Sequence, residues 1–581
     1  MISQLSWKVG GQQGEGIEST GEIFSMAMNR LGYYLYGYRH FSSRIKGGHT
    51  NNKIRVSTKQ IRSVSDDLDI LVAFDQETID VNYQELHNNG IIIADAKFKP
   101  VNPDDSRAGL YIVPFTEAAA ELGTSLMKNM VAVGATCVIM NLPISVFRDV
   151  VEEIFGRKGA MVVEKNMEAI QKGYELMTEL LGDKAGSLEL DQADGKQRMF
   201  MIGNDAIALG ALAGGARFMP AYPITPASEI MEYLIKKLPA VGGTVIQTED
   251  EIAAATMAIG SNYAGVRALT ASAGPGLSLM MEAIGLSGMT EQPLVIVDTQ
   301  RGGPSTGLPT KQEQSDLMQM IYGTHGEIPK IVLAPSTAEE AFYDTIEAFN
   351  LAEEYQCPVI ILSDLQLSLG KQTVEPLDHS KINIKRGKLV KNEQELAELE
   401  SKEYFKRYEV TEDGISPRVL PGTKNGIHHV TGVEHDETGK PSESALNRQM
   451  QMDKRMRKLD SVKLSNAIDA ANALHEEADL LLVGFNSTRG VLEEALTRLE
   501  EEGLKVNHAH VRLLHPFPTG ELSPLMEKAK HVAVVEHNAT GQLASIIKMN
   551  VGMPQKIHSV KKYDGNPFLP HEIHTICKEL V

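Results

Sequence analysis

Ala221-Tyr222-Pro223-Ile224-Thr225-Pro226, Glu249-Asp250-Glu251, Ser272-Ala273-Gly274-Pro275-Gly276 and Arg301-Gly302-Gly303-Pro304-Ser305-Thr306-Gly307-Leu308-Pro309-Thr310 follow one another between Ala221 and Glu327. Apolar, strand-like runs separate them, among them Val245-Ile246 and Leu294–Val297, the latter a continuous run of the buried parallel-strand type. Polar and glycine-rich groups therefore recur where strands end. In an open α/β sheet that is where ligands bind.

Each segment has its own chemistry. Pro223 and Pro226 hold the backbone extended before a helix predicted to start near Ala227, which presents Thr225 in a fixed direction or simply ends the turn. Glu249, Asp250 and Glu251 stand at a predicted helix N-terminus, where the helix dipole favours carboxylates, so Glu249 and Asp250 read as capping and solvated groups. Glu251 differs because Ile252-Ala253-Ala254-Ala255 follows, an apolar start that draws it inward and favours its neutral form. Gly274 and Gly276 let the backbone pass close to a ligand or a neighbouring helix, while Met280 and Met281 read as core or interface. Arg301 offers a planar fork that fits a carboxylate in bidentate fashion. Asp316, Tyr322, His325 and Glu327 are polar without an assignable role.

These four segments, taken in order, resemble the α subunit of 2-oxoacid:ferredoxin oxidoreductases, thiamine-diphosphate enzymes that oxidatively decarboxylate 2-oxoacids. The resemblance implies that Glu251 is catalytic, set beside the aminopyrimidine of the cofactor, and that Thr225 and Arg301 meet the substrate carboxylate. It places Tyr222, Pro223, Ile224, Gly274 and Gly276 against the cofactor.

Outward from this core, the expected fold class is multidomain α/β. Residues 1–185 form a first domain, 186–197 a polar linker, 198–375 the central domain, 376–475 a connecting segment, and 476–581 a terminal α/β domain. In the first domain, strands are predicted at Leu5–Val9, Asn52–Ser57, Ile70–Ala73, Gly90–Ala94, Leu110–Val113 and Met161–Val163. The first leads into Gly10-Gly11-Gln12-Gln13-Gly14-Glu15-Gly16 and a helix, either an anion-holding turn or merely a tight one. Tyr38 to His49, with Arg39, Arg44 and Lys46, reads as a basic loop that is solvated or meets an anionic ligand or neighbouring domain. This domain resembles the γ subunit of the same family and implies a γ–α fusion, with Gly11, Gly14, Gly16, Arg44 and Lys46 as a possible coenzyme A or other ligand loop. Gln13 departs from the second glycine of many members.

From Pro376 to Lys440 the pattern weakens into turn-rich sequence that wraps other domains rather than folding alone. The run Asp453-Lys454-Arg455-Met456-Arg457-Lys458 reads as a solvated helix face. His428, His429 and His435 lack the spacing of a metal site, and no metal ligand is assigned. Leu480–Phe485, Val506–Val511 and His531–Val535 are the terminal strands, and this region resembles the transketolase C-terminal-like domain of the family.

The formal charge of -19 argues against nucleic-acid and anionic-lipid partners. No run approaches transmembrane length and no signal peptide is evident, so a cytoplasmic protein is expected. Cys137, Cys357 and Cys577 form no pair and read as small buried hydrophobes. The chain has neither the Gly-Asp-Gly that anchors pyrophosphate through Mg2+ nor cysteines for a [4Fe-4S] cluster. By resemblance, a β subunit supplies both, thiamine diphosphate is shared with it, ferredoxin takes the electrons, coenzyme A takes the acyl group, and the assembly is an (αβ)2 heterotetramer. 2-Oxoglutarate is the expected substrate, with Arg39, Arg44, Lys46 or Lys311 for its distal carboxylate; pyruvate or a broad range is the alternative. Readings outside this class are a non-catalytic scaffold subunit and a dinucleotide-dependent dehydrogenase.

Overall fold

The computed structural model describes residues 2–42, 47–390, 396 and 404–581. It divides into two compact units, Met1–Met201 with Leu369–Pro376 and Leu569–His571, and Ile202–Ser368 with Leu377–Phe568 and Glu572–Val581. Both are α/β, as the alternating apolar pattern predicts.

The first unit is built on an eight-stranded sheet in the order Gly109–Val113, Leu86–Asp95, Leu68–Ala73, Gln4–Gln12, His49–Ser57, Tyr34–His40, Gln372–Val374 and Met199–Met201. Trp7 is wholly buried and stacks on Phe24 at 4.4 Å between ring centroids. Met161–Val163 is not a strand: it lies in the helix Ala160–Leu181, whose Val163, Met167, Ile170, Met177 and Leu181 share one buried stripe. An apolar triplet is too short to separate the two periods. That helix crosses Lys128–Ile139 at two glycines, since a Cβ on Gly134 would fall 1.9 Å from the Ile170 carbonyl and one on Gly173 equally close to that of Val131.

Part of the expected basic loop is also strand. Tyr34–His40 pairs antiparallel with His49–Ser57, so Arg39 and His40 sit on a ladder, and Arg39 is ion-paired with Glu18. Arg44 and Lys46 lie outside the described residues. Met199–Met201 and Gln372–Val374, at the two ends of the expected central domain, join this first sheet through Gln372, which pairs with both Tyr36 and Met201.

The second unit carries a five-stranded sheet ordered Leu269–Ser272, Leu294–Gln300, Pro358–Asp364, Ile331–Leu333 and Leu513–His515. The first four run parallel, and Leu513–His515 closes the far edge antiparallel to Ile331–Leu333. Every residue of Leu294–Gln300 is buried. A parallel pair, Phe218–Ala221 with Thr244–Gln247, extends the other edge through a bridge from Phe218 to Ala268. The terminal residues form a further five-stranded sheet ordered Ile468–Asp469, Val506–Val511, Ala478–Gly484, Ala529–Glu536 and Ile557–Lys561.

From Leu377 on, the described residues of the connecting segment belong to the second unit, and three cations of the Asp453–Lys458 run are not solvated. Lys454 and Lys458, on and just after the helix Ala445–Arg457, are fully buried, with Nζ atoms 2.6 and 2.5 Å from the two carboxylate oxygens of buried Glu291. Arg407 donates to the Glu291 carbonyl at 2.5 Å. The solvated-face reading is therefore wrong for Lys454, Arg455 and Lys458, though Asp453 is exposed. Glu353, also buried, gathers Arg267, Arg386 and Arg418 at 3.5, 2.6 and 3.6 Å. The three cysteines are buried and unpaired, as their spacing predicts.

Candidate active site

All four sequence segments emerge at the carboxyl ends of strands in the second unit. Tyr222 follows Phe218–Ala221, Glu249 follows Thr244–Gln247, Gly274 follows Leu269–Ser272, and Arg301 follows Leu294–Gln300. Parallel strands force this: each ends on the same side of the sheet, so the loops after them converge.

Glu251 is the first residue of the helix Glu251–Tyr263. Asp250 caps that helix, its carboxylate accepting the Ala253 N–H at 2.7 Å, while Glu249 is exposed; both behave as the sequence predicts. Glu251 is drawn in to 6% exposure. It lies against the start of the helix Gly274–Met289, where a Cβ on Gly276 would stand 2.8 Å from the Glu251 carboxylate and 2.0 Å from Ser272 Oγ. Gly276 is thus the residue that admits Glu251 to the interior. No described residue hydrogen-bonds the Glu251 carboxylate, and the buried Ser272 hydroxyl also lacks a partner.

Arg301 reaches back to the proline-fixed segment. Its Nη1 donates to the Thr225 carbonyl at 2.5 Å, so the structure brings Arg301 and Thr225 together through the Thr225 backbone. Arg301 Nε is buried without a partner among the described residues. Burial pushes the guanidinium down from its ordinary value, opposed by the negative charge of Asp316. Tyr222 and Pro223 are exposed at the rim, with Ile224 and Thr225 half-buried. Lys311 shares the Arg301 loop, its carbonyl accepting the Gly302 N–H at 3.0 Å, and burial lowers its ammonium against the pull of Asp564.

Two further carboxyl groups stand here: Asp298, which escapes a reading of the sequence, and Asp316, which the sequence leaves without a role. Asp298 follows Leu294–Val297 on the same buried strand, and neither of its oxygens receives a hydrogen bond from the described residues. Burial, with Asp316 nearby, holds it well above the usual carboxylate range. Asp316 N–H donates to Gln300 Oε1 at 3.1 Å, and its carboxylate stands 2.7–2.8 Å from where a Gly274 Cβ would be. Burial and Glu313 raise Asp316 to about 7, with Arg301 opposing. A charged residue ending an apolar strand run was the available signal for Asp298.

The glycine-rich turn of the first unit is less open than its sequence suggests. Gly11 is part of the strand Gln4–Gln12. Gly16 adopts φ +83, and Asn129 Nδ2 donates to its carbonyl at 3.1 Å. Glu15 fills the turn, accepting the Gln12 N–H at 3.2 Å and pairing with Lys128 at 2.8 Å. Gly14, at φ +97, has no described atom within 4 Å of where its Cβ would be.

Three family models match the chain: pyruvate ferredoxin/flavodoxin oxidoreductase over residues 6–176, the thiamine-diphosphate-binding region of pyruvate flavodoxin/ferredoxin oxidoreductase over 209–454, and pyruvate:ferredoxin oxidoreductase core domain II over 478–573. A 2-oxoacid:ferredoxin oxidoreductase α subunit from Sulfolobus is 35% identical, with 98% of this chain and 96% of that one aligned. The 2-oxoglutarate oxidoreductase subunit KorA of Mycobacterium tuberculosis is 31% identical over 97% and 89%. A solved 2-oxoglutarate:ferredoxin oxidoreductase from Magnetococcus marinus, with 2-oxoglutarate, coenzyme A and succinyl-CoA bound, superposes with a TM-score of 0.92 at 37% identity over 100% of both chains. No helix among the described residues is long and apolar enough to cross a membrane. With strand-end motifs, fold and full-length similarity in agreement, the chain belongs to the 2-oxoacid:ferredoxin oxidoreductase α subunits and is a subunit of an oxidoreductase.

Proposed function

We propose that this chain, with a separate β subunit, carries out the coenzyme A-dependent oxidative decarboxylation of 2-oxoglutarate to succinyl-CoA, or its reverse, with ferredoxin as electron partner. The observation that carries the reading is the convergence of Arg301 on Thr225 at the sheet edge that also holds buried Glu251. Arg301 and Thr225 bind the 2-oxoacid carboxylate, and Lys311, on the same loop, takes the distal one. The similarity to a solved enzyme with 2-oxoglutarate bound supports that choice over pyruvate. A broad 2-oxoacid range is the second reading, favoured by the Sulfolobus relative, whose name specifies no single 2-oxoacid.

The residues present fit one end of thiamine diphosphate. Glu251 is a buried carboxyl awaiting an N–H partner, and Gly276 leaves room for it. Bound there, the cofactor supplies the carbon nucleophile and electron sink. Glu251 holds the proton at the aminopyrimidine, Arg301 orients the substrate carboxylate, and Tyr222, Pro223, Ile224 and Gly274 form the rim. Mg2+, the pyrophosphate and a [4Fe-4S] cluster are assigned to the β subunit. Exposed Tyr222, Ile252, Leu279, Leu308 and Tyr322, on the segments that carry the site, suit burial by that partner in an (αβ)2 assembly in the cytoplasm.

The test is to co-purify the complex, analyse iron and thiamine, and assay viologen reduction with a panel of 2-oxoacids and coenzyme A. 2-Oxoglutarate should give the highest kcat/KM; pyruvate exceeding it overturns the substrate assignment. Glu251→Gln should lower turnover at least about 100-fold, and full activity in that variant would leave the chain a scaffold.

A further inference from the structure

We propose that the terminal α/β domain clamps the substrate loop Arg301 to Asp316 through Gln312 and Gln314, and thereby sets the direction of Lys311. Gln312, Gln314, Ser487 and Gly565 are then positioning residues for the distal carboxylate of the substrate. This rests on the assignment of Lys311 to that carboxylate given above.

The loop is first tied to itself. The Gly302 N–H donates to the Lys311 carbonyl at 3.0 Å, the Leu308 N–H to the Gly302 carbonyl at 2.8 Å, and the Lys311 N–H to the Leu308 carbonyl at 3.0 Å. Gly302 and Lys311 therefore close its neck beside Arg301. Beyond the neck, Gln312 and Gln314 are wholly buried, whereas Lys311 and Glu313 are half-buried. This alternation is that of extended chain, in which neighbouring side chains point to opposite sides.

The glutamines turn to the terminal domain. Gln314 donates its N–H to the His537 carbonyl at 2.7 Å, and its own carbonyl accepts Asn538 Nδ2 at 3.0 Å. Its side chain accepts the His537 N–H at 3.0 Å and donates to the Phe485 carbonyl at 3.2 Å and to Asp364 Oδ2 at 2.8 Å. Gln312 donates its N–H to the Gly565 carbonyl at 3.1 Å and its Nε2 to Ser487 Oγ at 3.2 Å, while its Oε1 accepts the Gln366 N–H at 2.8 Å. Ser487 Oγ in turn donates to Asp364 Oδ2 at 2.6 Å. The partners from the terminal domain stand just after Ala478–Gly484, Ala529–Glu536 and Ile557–Lys561, three parallel strands that end on one side of their sheet. Breaking such a buried network leaves polar groups unmet in the interior, so the register of the loop on the domain is fixed.

Gly565 carries that register to Lys311. It adopts φ +84, and a Cβ on it would fall 2.9, 3.2 and 3.4 Å from Lys311 Cβ, Cγ and Cδ, so the lysine stem runs along the Gly565 backbone. Only glycine meets both demands there. A lysine whose stem is already packed loses less freedom when its ammonium meets a carboxylate, and the clamp thus favours binding of a substrate that carries one at its far end.

The experiment uses the purified enzyme complex, with KM and kcat measured for 2-oxoglutarate, KM for coenzyme A, and bound thiamine analysed. Gly565→Ala should raise the KM for 2-oxoglutarate at least about tenfold while kcat falls less than about threefold and the KM for coenzyme A stays within about twofold. A merely structural role would instead lower kcat with the active fraction and leave both KM values in place. Ser487→Ala, which removes the partner of Gln312 without adding bulk, should raise the same KM about threefold, with Ser487→Thr restoring it; this pair decides the matter if Gly565→Ala binds no thiamine. An unchanged KM for 2-oxoglutarate in these variants, or a fall in kcat alone, overturns the proposal. Lys311→Met with an unchanged KM would instead overturn the distal-carboxylate assignment on which it rests.

Discussion

Glu291 and Asp298 are both fully buried carboxyl groups in the same unit, yet their surroundings push them in opposite directions. Glu291 has Lys454 and Lys458 on its two oxygens and is held well below the usual carboxylate range despite burial. Asp298 has no hydrogen-bond donor among the described residues and an acid for its charged neighbour, and it is held well above that range. Burial penalises the charged form in both places. The number and sign of the neighbours decide the outcome, so one carboxylate fastens the connecting segment to the domain while the other is left chemically responsive.

The comparison breaks most visibly at Glu291. Glu291→Gln leaves Lys454 and Lys458 buried without their counter-charge, and it should cost about 3–5 kcal/mol of stability, measured by chemical denaturation. A loss under about 1 kcal/mol would mean the cluster is no clamp. The folded pKa of Glu291 is depressed, so its contribution is complete above the unfolded value of about 4.3 and is lost as pH falls below it. Asp298 has the opposite sign. Its folded pKa is raised, so stability declines as pH rises from about 4 toward that raised value, by up to about 1.4 kcal/mol per pH unit. Asp298→Asn should flatten that decline in a denaturation series from pH 5 to 8, and an unchanged slope would show that Asp298 ionises freely.

Two smaller substitutions mark the background. Asp250→Ala removes the cap of the Glu251 helix and should cost about 1 kcal/mol. Glu249→Ala, at an exposed carboxylate next to it, should change the denaturation midpoint by no more than about 0.5 kcal/mol equivalent. If the two were equal, Asp250 would be solvated like Glu249.

What the sequence reveals divides along the same line. Glu251, Thr225 and Arg301 stand in compact motifs after apolar runs, so their place at strand ends is legible from local pattern alone. The helix Ala338–Tyr355 is legible in the same local way, since Thr337 caps its start by accepting the Glu340 N–H and an apolar stripe runs along it. The Lys454 and Lys458 burial is not legible. Their spacing matches a solvated helix face, and the glutamate that pulls them inward lies 163 residues before Lys454. Asp298 is hidden for a related reason: the strand reading stops at Val297, where apolarity stops, although the ladder to Pro358–Asp364 continues to Gln300. Tyr34–His40 is obscured by its arginine and histidine, which sit on a strand only because His49–Ser57 returns beside it.

The antiparallel strand Leu513–His515 has a consequence for how the molecule is made. It covers Ile331–Leu333, an apolar edge whose ladder groups otherwise stay open. On the ribosome that edge emerges long before its cover, and at about 5–20 residues per second it waits roughly 10–40 s while the chain from Leu333 to Leu513 is made. During that interval Ile331–Leu333 is a ready template for a strand of another nascent chain. Translation speed through the connecting segment therefore bears on the yield of correctly folded subunit, and a truncation before Leu513 should aggregate rather than give a smaller working enzyme.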